Sequence, residues 1–141
     1  MKYFIIVLVL IVSIFWGPSA QAFTLVCNIN PVTDNQGDYF VNYPKRFLES
    51  VMPPKQIFVI DLNKKTAFDK RFKIKVNLTT LNEKRIAWSY SLRWEASRNL
   101  NFGRIVYKYI YFRKTKKFIA HVDPGSGYVG IRSTRSNCVK Q

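Results

Sequence analysis

Catalysis needs groups that pass protons or attack electrophiles, and this chain is short of them. It holds one histidine, His121, and eight acidic residues among 141. His121 sits inside the alternating run Phe118-Ile119-Ala120-His121-Val122. A histidine there reads as a structural strand residue, not as the base that a Ser or Cys nucleophile requires. Paired carboxylates for acid–base work would have to come from Asp61, Asp69, Glu83, Glu95 and Asp123, which stand in no recognisable spacing. There is no glycine-rich phosphate loop and no H-E-x-x-H run; Gly125, Gly127 and Gly130 fall in a hairpin region, not ahead of a helix. Asp34 and Asp38 bracket a polar turn, but the closely repeated oxygen ligands of a calcium loop are missing. The expectation is a protein that is not an enzyme and carries neither metal nor cofactor.

What the chain has in quantity is positive charge. Lys and Arg number 23 against the eight acids, a net charge of +15 at pH 7. Such an excess draws in polyanions over long range: nucleic acid, anionic lipid headgroups, lipopolysaccharide or acidic polysaccharide. Lys73, Lys75, Arg85 and Arg93 fall on the polar face of one alternating pair of segments. Arg113, Lys114, Lys116 and Lys117 cluster at a turn, where four charges in five residues repel one another unless an anion relieves them. These eight are the candidate binding residues; a solvated hairpin tip is the plainer account of the second group. Tyr107, Tyr109 and Tyr111 recur at alternate positions. They could stack on the bases of single-stranded nucleic acid, but a tyrosine row filling a core is the preferred reading.

The N-terminus narrows the choice of partner. Met1-Lys2-Tyr3 is followed by an apolar or small run, residues 4–16, and by the triplet Ala20-Gln21-Ala22. A charged start, an apolar centre and a small-x-small end make a secretory signal peptide, cut after Ala22. The apolar run falls short of the roughly 20 residues that span a bilayer. The alternative is a membrane anchor formed by residues 4–16, with the same domain tethered outside. A lipidated Cys27 is not expected, because Thr24-Leu25-Val26 lacks the small residues that lipoprotein processing prefers. A secreted or periplasmic address disfavours nucleic acid and favours an anionic macromolecule or membrane surface. It also places Cys27 and Cys138 in an oxidising compartment, where a pair closes into a disulfide. In the chain-entropy picture so long a loop restrains the unfolded state by roughly 4–5 kcal/mol. A metal pair is not expected, since no third soft ligand accompanies the two thiols.

Two stretches organise the mature segment, 23–141. In 71–80, Phe72, Ile74, Val76 and Leu78 alternate with Arg71, Lys73, Lys75, Asn77 and Thr79. In 85–94, Ile86, Trp88, Tyr90, Leu92 and Trp94 alternate with Arg85, Ala87, Ser89, Ser91 and Arg93. A period of two means half-buried strands, and the short link between them makes an antiparallel hairpin. Further strands are expected at 23–29, ended by Pro31, and at 39–43, 56–62, 104–112, 118–122 and 128–132. A short helix is expected after Pro44, with Phe47, Leu48 and Val51 on one side, stopped by Pro53-Pro54. Asp123-Pro124-Gly125 suits a type II turn. The fold class is therefore all-β: one antiparallel barrel or sandwich of about eight strands with one short helix. A bridge from the first strand to a cysteine just past the last would close a barrel at its seam.

Two other binding functions fit this outline. An eight-stranded barrel can carry a small apolar ligand, as lipocalins do, although the G-x-W signature near the first strand is missing. The leader, small β domain and single terminal bridge, with Gly125-Ser126-Gly127-Tyr128, also resemble bacterial lysozyme inhibitors, which implies a secreted inhibitor of a hydrolase. The charge opposes a basic lysozyme as target, and no site residue carries over from that resemblance. Asn77-Leu78-Thr79 is a glycosylation sequon, meaningful only in a eukaryotic secretory route.

Overall fold

Alternation of apolar and polar side chains produces eight strands in a computed structural model, which describes residues 21–33, 45–93, 103–125 and 130–141. They are β1 (Ala22–Thr33), β2 (Lys55–Asp61), β3 (Thr66–Asp69), β4 (Ile74–Leu81), β5 (Arg85–Leu92), β6 (Ile105–Phe112), β7 (Phe118–Asp123) and β8 (Ile131–Lys140). Each pairs antiparallel with the next, and β8 returns to β1, so the sheet closes into a barrel. The expected antiparallel all-β fold is present, in its barrel form. The leader, the turn at 34–38, the strand at 39–43, Trp94 and Ser126 to Tyr128 lie outside the described residues. Among the described residues no helix is long and apolar enough to cross a membrane.

Four features differ from expectation. β1 continues through Pro31, which pairs with Ser133 of β8. Pairing with β2 has ended at Asn28, so Pro31 lies where only one neighbour remains and a missing N–H is tolerated. β3 was not foreseen, being four residues long with an acid at its end. Residues 71–73, expected to begin a strand, form with Lys70 the turn that joins β3 to β4. Cys138 lies within β8, not beyond it.

Inward positions are mostly apolar or aromatic, with Gln56, Asp69 and Ser136 the buried polar residues among those described. Leu25, Cys27 and Ile29 of β1, Phe58 and Ile60 of β2, Ile86, Trp88 and Tyr90 of β5, and Ile105, Tyr107, Tyr109 and Tyr111 of β6 are all buried. The tyrosine row is therefore core, and its rings are not open to stack on nucleic-acid bases. Phe58 sits 5.1 Å from Trp88 and 4.9 Å from Tyr109 between ring centroids. Tyr90 stacks on Tyr107 at 5.2 Å, and Tyr109 on Phe118 at 5.7 Å. Each such pair adds about 0.5–1.5 kcal/mol beyond its area burial.

The helix α1 (Lys45–Val51) lies in the connection from β1 to β2. Val51 and the following Met52 are fully buried in the core cluster, with Phe47 and Leu48 packed against it. The helix thus covers one end of the barrel, and the Arg71 guanidinium donates to the Val51 carbonyl at 3.4 Å. A cation at a helix C-terminus is favourable to the backbone dipole.

Cys27 and Cys138 are directly opposite in the β1–β8 register and are joined by a disulfide. Thr24 and Gln141 exchange backbone hydrogen bonds at 3.0 and 2.8 Å. Counting along the ladder makes Cys27 and Cys138 a non-hydrogen-bonded pair, in which side chains approach most closely. Replacing both, Cys27→Ala with Cys138→Ala, is expected to lower unfolding free energy by about 2–4 kcal/mol while the far-ultraviolet spectrum stays that of a β protein. Urea unfolding of the variant beside the oxidised parent measures this.

Candidate functional site

Three tight connections share one backbone form, and it decides where the charge goes. Residues 62–65, 70–73 and 113–116 each form a turn that ends on a lysine with positive φ: 52° at Lys65, 55° at Lys73 and 57° at Lys116. In the first, Asp61 Oδ1 accepts from the Lys64 N–H at 2.9 Å. In the second, Asp69 Oδ1 accepts from the Arg71 N–H at 2.8 Å. The third is closed by the Lys116 N–H donating to the Phe112 carbonyl at 2.9 Å. The left-handed region suits Gly or Asn, and any other side chain there costs roughly 1–2 kcal/mol. Lysine occupies it three times.

Antiparallel strands alternate in direction, so the β2–β3, β4–β5 and β6–β7 connections leave the barrel at one rim. This rim is opposite the helix. It carries Lys64 and Lys65, Lys84 and Arg85, and Arg113, Lys114, Lys116 and Lys117, all exposed. Arg113 binds the two later connections together: its N–H donates to the Lys84 carbonyl at 3.0 Å and its Nη1 to the Asn82 carbonyl at 3.1 Å. Of the nearby acids, Asp61 faces Lys64 at 4.0 Å. An exposed pair of that kind contributes little to stability.

Of the eight residues expected from the sequence, five therefore gather on this rim: Arg85, Arg113, Lys114, Lys116 and Lys117. Lys73 and Arg93 belong to connections at the helix-covered end, and Lys75 stands on the outer face of β4. Sequence reasoning missed Lys64, Lys65 and Lys84, because membership of a rim follows from strand direction and not from local spacing. Asn77 of the sequon is exposed on β4.

Beside the rim the barrel wall loosens. β7 pairs with β8 at His121–Arg132 and Val122–Ile131, and again only at the isolated bridge Lys117–Asn137. Between those points 118–120 face 133–136, an extra residue on β8 in the manner of a bulge. The Ala120 N–H donates to Ser133 Oγ at 2.8 Å in place of a ladder bond. A groove of about 550 Å³ opens over the mismatch, lined by Phe112, Thr115, Lys117, Phe118, Ile119, Ser133, Ser136 and Asn137.

No family model matches the chain, and no curated protein or solved structure does either.

Chemistry inside the barrel centres on Asp69, an acid that sequence reasoning had set aside. It is 2% exposed. Its Oδ2 accepts the Tyr90 hydroxyl at 2.5 Å while Oδ1 holds the turn. Tyr90 uses its only hydroxyl hydrogen in the bond to Asp69, so the Tyr109 hydroxyl, 3.2 Å away, donates to Tyr90. Burial raises the phenol pKa of Tyr90, Tyr107 and Tyr109 above the ordinary value, and the Asp69 charge pushes the same way. For Tyr107 the Arg71 guanidinium offsets part of the rise. The network is walled in by aromatic rings and holds neutral phenols against one acid, an arrangement that fixes register. His121, the other candidate for proton transfer, stands opposite Lys108 on β6 and Arg132 on β8 in the strand register. Among the described residues no metal-ligating cluster assembles.

Asp69→Ala is expected to cost about 3 kcal/mol, since it strands a buried hydroxyl and turn amides, and Tyr90→Phe about 1–2 kcal/mol. Urea unfolding of the two variants gives both values. The raised phenols set a pH dependence. Below their unfolded pKa near 10 both states hold the proton, and stability is unaffected; above it only the unfolded chain releases one. Stability is therefore flat in this respect up to about pH 10, then falls by about 1.4 kcal/mol per pH unit for each buried phenol. The tyrosinate absorbance of Tyr90, Tyr107 and Tyr109, read as the difference from a variant with all three replaced by Phe, should appear together with unfolding, not ahead of it.

Proposed function

We propose that this chain is an exported β-barrel binding module that engages an anionic partner with its turn rim and does not catalyse a reaction. The observation that carries the reading is the strained lysine. Lys65 and Lys116 occupy rim positions where the backbone favours glycine. Stability given up at a surface position points to a task for the side chain placed there. The convergence of three basic connections on one rim supports the same reading, as does the overall charge of +15. Catalysis finds no support in the walled Asp69 network. The carrier reading is weakened by the contacting rings of Trp88, Tyr90, Tyr107 and Tyr109, which occupy the space a ligand would need.

Strain and charge can be separated by one substitution. Lys116→Gly is expected to raise unfolding free energy by about 0.5–1 kcal/mol while weakening retention on immobilised heparin. The parent protein should elute from that column at a salt concentration well above that of a neutral β protein, since contacts between exposed charges are screened by salt. Elution independent of salt, or a Lys116→Gly protein that binds heparin as the parent does, would count against the rim.

A further inference from the structure

The groove between β7 and β8 opens at the basic rim, and what lines it is not what a purely ionic site needs. Phe112, Phe118 and Ile119 give it an apolar floor, while Lys117 and Asn137 stand at its mouth. Ile119 is 39% exposed and Val139, on the neighbouring stretch of β8, is 58% exposed; they are the large apolar side chains left open among the described residues. Heparin or another soluble polyanion makes no use of such contacts. An amphiphile with an anionic headgroup uses both, pairing its charge with lysine and its glycerol and upper acyl region with the apolar floor.

The path of the chain favours the same occupant. Ala22 pairs with Asp61, and the Gln21 carbonyl accepts from the Leu62 N–H at 3.3 Å, so β1 begins at this rim. The apolar sequence of residues 4–16 thus joins the barrel on the side that carries the lysines. On the export reading, that segment, as leader or as anchor, would hold this rim toward a bilayer. The geometry points to an anionic-lipid site: headgroups held by the rim lysines, with Ile119, Val139 and the β7–β8 groove in contact with the interfacial region of the membrane. This inference rests on the rim reading and names its partner class.

Vesicles separate the two readings. The disulfide-bonded domain, residues 23–141, is mixed with phosphatidylcholine vesicles prepared with and without phosphatidylglycerol, and retention on heparin is measured in parallel. Two variants are compared with the parent, each checked for native near-ultraviolet dichroism. Ile119→Thr with Val139→Thr removes apolar contact, keeps the charge, and uses a residue that strands accept. Lys84→Glu with Lys114→Glu alters the rim away from the groove. The expected result is binding only to vesicles containing phosphatidylglycerol, weakened about tenfold by the threonine pair on area grounds, with heparin retention unchanged. The glutamate pair should weaken both. Vesicle binding untouched by the threonine pair, or heparin binding without vesicle binding, overturns the lipid site and leaves the rim reading standing. A parent protein that binds neither overturns both.

Discussion

A sheet that closes on itself settles its register at the seam, and everything inside must fit the space that the seam encloses. Here the seam is the β1–β8 ladder, and Cys27 opposite Cys138 pins it with a covalent bond. A slip of one residue would turn Leu25, Cys27 and Ile29 outward and replace them with polar or smaller side chains. Closure also removes the unpaired edges that a strand-rich protein would otherwise expose. The barrel is narrow enough for side chains to fill, and this chain fills it with aromatic rings.

Filling by tyrosine brings hydroxyls into the core, and their requirements reach the surface. The Tyr90 proton needs an acceptor, Asp69 supplies it, and the other oxygen of Asp69 shapes the β3–β4 turn. That turn then delivers Arg71 to the carbonyl end of α1. One acid therefore links packing within the barrel to the cover on its end. At the opposite rim no such polar core contact is seen among the described residues, and the turns there are held by main-chain bonds, by the exposed side chain of Asn82, by Asp61 and by Arg113. One end of the barrel is structural in character, while the other presents charge.

Much of this was legible in the order of residues. Strict alternation in Ile86–Leu92 gave strand identity and inward face together; Ile105–Tyr111 is apolar on both faces save Lys108, so there only the preference for a tyrosine core chose the face, and the placement of the two cysteines implied a seam. Pro124 followed by Gly125 announced a turn; Gly125 has the positive φ this needs, 69°, and its N–H donates to Asp123 Oδ1, while the residues that would complete the turn lie outside those described. What escaped had no local signal. Thr66–Asp69 is too short for a period to show, and its buried acid contradicts the usual polarity of an inward position. Lysine is not a residue that advertises a left-handed backbone, so the shared form of three turns was hidden. The gathering of Lys64, Lys65 and Lys84 with the 113–117 cluster depends on pairings distant in sequence. The wall defect between β7 and β8 depends on one surplus residue in a strand whose polar composition gives no warning.

The mutual hydrogen bonds of Thr24 and Gln141 have a practical corollary. Both ends of the barrel's chain emerge side by side at the cationic mouth, so an affinity tag or fluorescent fusion at either one would sit across it. A label placed at exposed Arg93 or Gly103, which belong to the opposite end, would leave that mouth clear. The same adjacency invites circular permutation: a brief linker could join the old ends and new ones could be opened at the far side. The reporter would then move away from the lysines without disturbing the barrel's order of strands.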